Sequence, residues 1–345
     1  MRTLFFSGGR EGGEVRDGTC PDPRRSPAQF MIRRLLILWF TVSRLSAGPV
    51  IVPAAAQPEF SRKLPGIVGL SGLAWCRGDL YYAVSDRQRA LLPLRITLDP
   101  ASGRITAVKM ESPVPLPSPL RDYEDIACDA ARGRVFLSTE APPALAAFSL
   151  KGRTLPAPVL PRVFQSARRN LGMESLTRDT ATGRFWTANE DTLPADGAIS
   201  NDKSGGLVRL QEFAAAGQPT RQFAWRTETS GLRLAGSGTG VTALGALPGG
   251  ELIVMERVVM GISLEVRLYL AGFTGATDTS QLPALAGAKF TPAQKTLLFK
   301  KATGLTNYEG LATGPLLAGG SRALILVADS GSADTHTFLA LRLEK

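Results

Sequence analysis

Short apolar runs alternate with turn-forming residues along most of the chain, and one combination of the two recurs five times. Each occurrence opens on a short apolar segment and continues through a turn rich in Gly, Asp or Arg. It closes on a β-branched or aromatic run with an acid at or next to its end. The segments are SGLAWCRGDLYYAVSD, EDIACDAARGRVFLSTE, ESLTRDTATGRFWTANE, TALGALPGGELIVMER and EGLATGPLLAGGSRALILVADS, which begin at Ser71, Glu124, Glu174, Thr242 and Glu309. Their starts lie 53, 50, 68 and 67 residues apart, spacings that suit a four-stranded unit with loops of variable length.

Two further strand candidates follow most of these segments, such as ALLPLRITL and RITAVKME after the first. The fifth segment is followed only by THTFLALRLEK and is one strand short, but EFSRKL at 59–64 can supply the missing strand. Pairing the two ends of the chain in one blade closes a propeller ring. We therefore predict an all-β fold, a β-propeller of five four-stranded blades closed by N- and C-terminal strands. Six blades are the alternative, if a degenerate blade lies within 195–240.

The N-terminal region differs in composition from the repeats. Residues 1–30 are rich in Gly and Arg and end before a second methionine, so we interpret them as a non-native upstream extension. Residues 31–56 carry the adjacent arginines Arg33 and Arg34 near their start, followed by the apolar run 35–42 and the small residues 54–56, which is typical of a secretory signal peptide. An uncleaved membrane anchor is the rival interpretation. We expect 57–345 to form the propeller domain, periplasmic or secreted, without a stable membrane span after signal removal.

Composition and net charge limit the kinds of molecule that the protein is expected to bind. The chain has 345 residues, 44% of them hydrophobic, with 36 Gly and 24 Pro, which favours many tight turns over long helices. The first 30 residues carry a net charge of +1 and residues 31–56 carry +3, which leaves +6 of the total +10 for the domain. Because basic runs and aromatic ladders are missing from the sequence, we expect no nucleic-acid partner. We predict a monomer that takes a small anionic or phosphorylated substrate.

Several kinds of chemistry are excluded by the residues themselves. The one histidine, His336, reads as an ordinary surface residue, and a Ser-His-Asp hydrolase would need a histidine beside a nucleophile. Ligands for zinc and a phosphate-binding loop for a nucleotide cofactor are lacking. Cys76 and Cys128 occupy nearly equivalent places in the first two repeats. A disulfide between them can form in an oxidising compartment, but the favoured interpretation is two unpaired cysteines buried in strands.

The recurring acids predict a site. In a propeller the first strand of each blade lines the central channel, and the second returns antiparallel to the same mouth. Acids therefore meet there from both strands. Those that precede the first strand are Glu124, Glu174 and Glu309, and those that end the second are Asp86, Glu140, Glu190, Glu256 and Asp329.

Such crowding of like charge is unfavourable by about 1 kcal/mol per close pair in water and by more at partly buried sites. Oxygen-only ligands suit Ca²⁺ best, and we predict as its ligands Glu124, Glu174, Glu309, Asp329, Asp86 and Glu256. The substrate's remaining oxygens would be bound by Arg87, Arg169, Arg257 and Arg121. Glu190 or Glu140 would act as a general base if burial raises its pKa. Alternatively, these acids only bind turn N–H groups and stabilise the blades.

The sequence resembles one bacterial family through these same segments, the "esterase-like activity of phytase" or phytase-like family. The matching motifs run in order from 66 to 343: GLSGL with YYAVSD, DYEDIA with LSTE, NLGMESLT with WTANED, ALPGGELIVMER, and NYEGLATGPL with LVADS. The resemblance implies an exported propeller that hydrolyses phosphoesters or other esters. The better understood β-propeller phytases are six-bladed and hold phosphate with Ca²⁺ in an acidic mouth, and the five repeats here depart from that pattern.

Three functions follow from the site and the resemblance. The favoured one is a metal-dependent hydrolase of a phosphorylated or anionic ester, with Ca²⁺ screening substrate charge and lowering the pKa of a bound water. The second is a non-catalytic envelope propeller that binds a ligand or protein and holds calcium structurally. The third is a calcium-dependent lactonase-type hydrolase.

Overall fold

The two ends of the described chain pair with each other. A computed structural model describes residues 48–231 and 236–345. The strands β1 (Val50–Pro53) and β2 (Glu59–Lys63) both pair antiparallel with the last strand, β22 (Thr335–Glu344). EFSRKL thus closes the ring as predicted.

Five antiparallel sheets make up the described part of the chain. The first blade contains β3 (Leu70–Arg77), β4 (Leu80–Ser85), β5 (Ala90–Leu98) and β6 (Ile105–Met110), with β7 (Val114–Pro115) paired to β5. The second contains β8 (Tyr123–Asp129), β9 (Arg134–Thr139), β10 (Ala144–Ser149) and β11 (Thr154–Leu155).

The other three blades follow the same order along the chain. The third contains β12 (Ser175–Arg178), β13 (Phe185–Ala188), β14 (Leu207–Phe213) and β15 (Pro219–Arg226). The fourth contains β16 (Gly238–Ala246), β17 (Leu252–Met260), β18 (Ser263–Gly272) and β19 (Gln294–Gly304). The fifth contains β20 (Asn307–Leu316), β21 (Arg322–Asp329) and β22, completed by β1 and β2.

The inner strands close a ring. Strand β3 contacts β8, β8 contacts β12, β12 contacts β16, β16 contacts β20, and β20 contacts β3 again. The fold is therefore a five-bladed β-propeller. The alternative of a sixth blade within 195–240 is wrong, because β14 and β15 complete the third blade and β16 begins the fourth.

Hydrophobic residues bury themselves between neighbouring blades. Five core clusters occupy the five interfaces, for example Leu73 and Tyr81 of the first blade against Val327 and Phe338 of the fifth. Both faces of the inner strands are covered, so β8 is buried along its whole length instead of alternating. Among the described residues, no helix is long and apolar enough to cross a membrane.

Two predictions about single residues were wrong. Cys76 of β3 and Cys128 of β8 form a disulfide that links the first two blades. These strands are neighbours in the ring, which brings the two cysteines together. His336 is fully buried, because β1 and β2 cover β22, and its ring nitrogens lie 3.1 Å from the Ile67 carbonyl and 3.2 Å from the Ser330 hydroxyl.

The predicted N-terminal segments fall mostly outside the described residues. This applies to the extension 1–30 and to most of the predicted signal peptide 31–56. Within that predicted signal, however, β1 pairs residue by residue with β22, and Ile51 is buried in the core between the fourth and fifth blades.

Candidate functional site

Acidic residues from four blades meet at one mouth of the channel. Strand pairing aligns the start of each inner strand with the end of the second strand, as between Tyr123 and Thr139 or Asn307 and Asp329. Residues just before the first strand and just after the second therefore share one opening. The eight carboxylates gathered there, which we call the acidic rim, are Asp86, Asp122, Glu124, Glu140, Glu174, Glu190, Glu309 and Asp329.

The tightest group on the rim is Asp122, Glu124 and Glu140. One carboxylate oxygen from each lies within 4.8 Å of the other two, a separation that a single cation can bridge. Asp122 adopts a left-handed backbone (φ 61°), a conformation that Asp tolerates, and its carbonyl accepts a 3.2 Å bond from the Glu140 amide. Asp122 was not among the predicted residues, although it stands two residues before Glu124 in the motif DYED.

Arg257 is the cation that the fourth blade contributes to the rim. Its guanidinium donates 2.5 Å hydrogen bonds to Glu190 and to Glu309, and a 3.0 Å bond to the side-chain oxygen of Asn307. The side chain is only 19% exposed. Arg257 thus neutralises part of the rim and connects the third, fourth and fifth blades.

Glu124, Glu174 and Glu309 have raised pKa values in the absence of a cation. Burial, followed by the charges of neighbouring acids, Glu309 first, raises the pKa of Glu124 to about 10. The pKa of Glu309 rises to about 7 through burial, even though Arg257 opposes the shift. Burial and the negative charges of Glu124 and Glu190 raise the pKa of Glu174 well above its usual range. A multivalent cation would reverse these shifts.

Burial also raises the pKa values of Glu140 and Glu190, the two predicted bases. Glu140 accepts a 3.0 Å bond from the Gly172 amide. Gly172 and Gly240 allow the two acids to sit close to the next blade, since a Cβ atom at either glycine would lie 2.6 Å from the Cγ of Glu140 or Glu190.

The first blade contributes a more open part of the mouth. Asp86 forms a 2.9 Å ion pair with Arg87, and burial raises its pKa against that pairing. Arg87 and Arg121 are exposed and, with Asp86 and Asp122, line a cavity of about 300 Å³. These two predicted substrate-binding arginines therefore lie at the rim. Asp329, also on this side, accepts a 2.7 Å bond from the Gly331 amide.

One of the predicted ligands stands apart from the rim. Glu256 is fully buried between the third and fourth blades, where it accepts bonds from Lys295 (2.8 Å) and Trp225 (2.9 Å). Its position differs from the predicted one, so it is not available as a rim ligand. Arg169 is exposed on the loop before β12.

A further acid that sequence reasoning missed lies deeper in the ring. Asp125 is 1% exposed and accepts 2.8 Å bonds from the amides of Ile126 and Leu176, and a further bond from the amide of Leu73. These partners belong to the first three blades. Asp125 therefore connects neighbouring blades through backbone N–H groups. For this acid, the alternative of a purely structural role is the one that its contacts support.

The donor set fits a hard cation. Asp122, Glu124 and Glu140 offer only carboxylate oxygens, which Ca²⁺ prefers, and the raised pKa values of Glu124 and Glu140 mark these two residues as short of positive charge. Glu174 and Glu309 lie next to this group.

Comparison with solved structures returns proteins of low similarity. A nidogen/laminin complex shares 11% identity over 81% of this chain and 89% of its own, with a TM-score of 0.38. YCF48 bound to a D1 peptide shares 10% over 82% and 96%, with a TM-score of 0.34. The PQQ domain of pyranose dehydrogenase from Coprinopsis cinerea, in its holo form, shares 10% over 86% and 98%, with a TM-score of 0.38. Values this low carry no information on function.

Comparison at the level of families is informative. No curated protein matches the chain. The family model described as "Phytase-like: Esterase-like activity of phytase" matches residues 65–330, which is well over half of the chain and includes all eight carboxylates of the acidic rim. The chain therefore belongs to the phytase-like family.

Proposed function

We propose that this propeller is a metal-dependent hydrolase of a phosphorylated or otherwise anionic ester, with its active site at the acidic rim. The observation that supports this most directly is the convergence of eight carboxylates and one buried arginine at a single mouth. Structural needs alone do not require such a cluster in a chain of net positive charge. The family's description as esterase-like points in the same direction.

The chain's own residues divide the work of the reaction. Asp122, Glu124 and Glu140 would hold Ca²⁺, with Glu174 beside them, and the ion would screen substrate charge and acidify water. Arg87 and Arg121 lie on the open side, where they can bind substrate oxygens. Arg257 orients Glu190 through a short ion pair and favours its ionised form, which a general base needs.

Turnover with and without a chelator tests the proposal. The purified protein would be assayed with phytate, simple phosphate monoesters, carboxyl esters and lactones, in saturating Ca²⁺ and in EDTA. We expect turnover in Ca²⁺ that EDTA abolishes. No turnover of any of these substrates in Ca²⁺ would contradict the proposal.

A double variant separates catalysis from calcium binding for stability alone. Glu124→Gln with Glu174→Gln removes two rim charges, and Glu212→Gln serves as the control because Glu212 is a buried acid paired with Arg221 away from the rim. We expect the double variant to lose turnover and the stabilisation by Ca²⁺, while its melting temperature in EDTA stays at or above that of the unaltered protein. Loss of melting temperature alone would favour the non-catalytic binding propeller.

We also propose that the protein works outside the cytoplasm, in the periplasm or after secretion. The disulfide between Cys76 and Cys128 supports this, because such bonds persist in oxidising compartments. Fractionation of the native host with quantitation of free thiols tests it, and a cytoplasmic, fully reduced protein would contradict it.

A further inference from the structure

A second cavity, which we call the side cavity, opens from the rim next to Glu190 and Arg257. It has a volume of about 290 Å³ and lies between the third and fourth blades, bordered by the loop before β12, the segment after β13 and the ends of β16 and β17. Because Glu190 and Arg257 belong to both, a molecule bound at the rim can extend directly into the side cavity.

Apolar side chains form much of its wall. Leu171, Ile199 and Val259 come from three separate segments and line the same space. Ile199 is 44% exposed although it is a large aliphatic residue. Apolar surface kept accessible beside a charged site favours a ligand that covers it.

Two buried hydroxyl groups in the wall have no partner within the described chain. Ser237 is 7% exposed and Thr239 is 2% exposed, and neither side-chain oxygen makes a hydrogen bond there. Both oxygens are shielded from the cavity, and an unsatisfied buried hydroxyl costs about 1–3 kcal/mol, so a side-chain rotation that turns either hydroxyl toward a ligand oxygen would be favourable. By contrast, the carboxylate of Asp191, which also lines the cavity, already accepts hydrogen bonds from the amides of Thr192 and Ser200 and from the Ser200 hydroxyl.

We propose that the side cavity is a substrate-binding site for the apolar group of an anionic ester. This inference rests on the proposed function and narrows its substrate class to alkyl or aryl esters, such as alkyl phosphates. The anionic group lies at the acidic rim, the chain or ring packs against Leu171, Ile199 and Val259, and an ester oxygen accepts from Ser237 or Thr239. A volume near the lower end of the usual ligand range suits a short chain or single ring rather than a lipid tail.

Chain-length dependence tests the inference. In Ca²⁺, kcat/KM is measured for methyl, butyl and hexyl phosphate with the unaltered protein and with Ile199→Asn. Ile262→Asn is the matched control, because Ile262 is 89% exposed on the β17–β18 turn and does not line the side cavity. We expect kcat/KM to rise about fourfold for each added CH₂ until the cavity is full. Ile199→Asn should reduce the hexyl-to-methyl ratio by roughly tenfold, and Ile262→Asn should leave the ratio unchanged.

A binding measurement separates this inference from the proposed function. Calorimetry compares hexylphosphonate with methylphosphonate, neither of which can be hydrolysed at the carbon–phosphorus bond, in the same variants. Tighter binding of hexylphosphonate that Ile199→Asn removes would support the side cavity even if no ester were turned over. Turnover without any chain-length preference, or equal effects of Ile199→Asn and Ile262→Asn, would overturn the assignment and leave the hydrolase proposal standing.

Discussion

Arg257 determines how the rim tolerates its own charge in the absence of a cation. It is the one side chain in the described part of the chain that pairs with both Glu190 and Glu309. The sequence motif IVMER indicated this arginine, because Arg257 directly follows the acid at the end of the fourth segment. The proposed calcium ion would likewise neutralise acids on the neighbouring side of the mouth.

We predict that Arg257→Met lowers the free energy of unfolding by roughly 3 kcal/mol in EDTA, because it leaves two carboxylates without their cation. Saturating Ca²⁺ should restore a large part of this loss. Urea unfolding under both conditions measures the effect. Arg221→Met is the control, because its half-exposed pairing with Glu212 lies off the rim. Equal losses with and without Ca²⁺ would contradict the prediction.

The raised pKa values of the rim predict the pH dependence of stability. A carboxyl group whose pKa is higher in the folded state binds more protons there than in the unfolded chain, so stability falls as the pH rises between the two values. For Glu309 this interval runs from the ordinary 4.5 to about 7, and for Glu124 from 4.5 to about 10. In EDTA, the free energy of unfolding should therefore fall from pH 5 to pH 9.

Denaturant titrations at several pH values measure this fall. Glu124→Gln with Glu309→Gln should flatten the profile, because neither amide titrates. Ca²⁺ should also stabilise the protein more at pH 8 than at pH 5, where protons compete for the same oxygens. A profile that is flat or rises between pH 5 and 9 in EDTA would show that the rim carboxyls titrate normally.

For Glu256, the repeated sequence pattern did not predict the direction in which the side chain points. In the first two blades the second strand ends at Ser85 and Thr139, and the next residue turns into the mouth. Strand β17 instead runs on to Met260, and alternate side chains of a continuing strand point to opposite faces. Arg257 consequently faces the rim and Glu256 faces the third blade. The sequence repeat predicted the acid but not the extra length of the strand.

Strand β1 shows how a propeller closes with more than one terminal segment. Strand β2 pairs with one half of β22 and β1 with the other, so both together complete the fifth blade. Every residue of β1 lies within 31–56, the predicted signal peptide. The apolar run that suggested a signal, 35–42, lies outside the described residues, whereas Ile51 of β1 is buried in the propeller core.

We predict that a chain beginning at Gln57 is less stable than one beginning at Gly48. The shorter chain loses the pairing with β22 and the burial of Ile51, which alone contributes about 2 kcal/mol. Thermal unfolding of the two chains measures the difference, and Ile51→Ala in the longer chain should reproduce much of it. Equal melting temperatures would show that β2 suffices to close the ring.

The number of blades was predictable because each repeat carries its own turns and apolar runs, and neighbouring blades bury the same face in succession. The contacts between particular residues of neighbouring blades were not predictable from the sequence. The bond between Cys76 and Cys128 needs β3 and β8 side by side, with Cα atoms 5.4 Å apart, which spacing along the chain does not reveal. The side cavity likewise arises from four segments that meet only in the folded ring.

The ring arrangement makes a prediction about calcium and unfolding. The acidic rim with Arg257 draws residues from all five blades, so a cation bound there stabilises the closed ring as one unit. At 100 times its Kd, Ca²⁺ should add about 2.7 kcal/mol, which corresponds to an increase of about 5 °C in the melting temperature of a chain this long. We expect scanning calorimetry to show one transition that moves as a whole, and Mg²⁺ to move it less because it loses its water reluctantly. A shift that persists in the Glu124→Gln, Glu174→Gln variant would place the cation elsewhere, and a transition that splits in Ca²⁺ would show that the blades do not respond together.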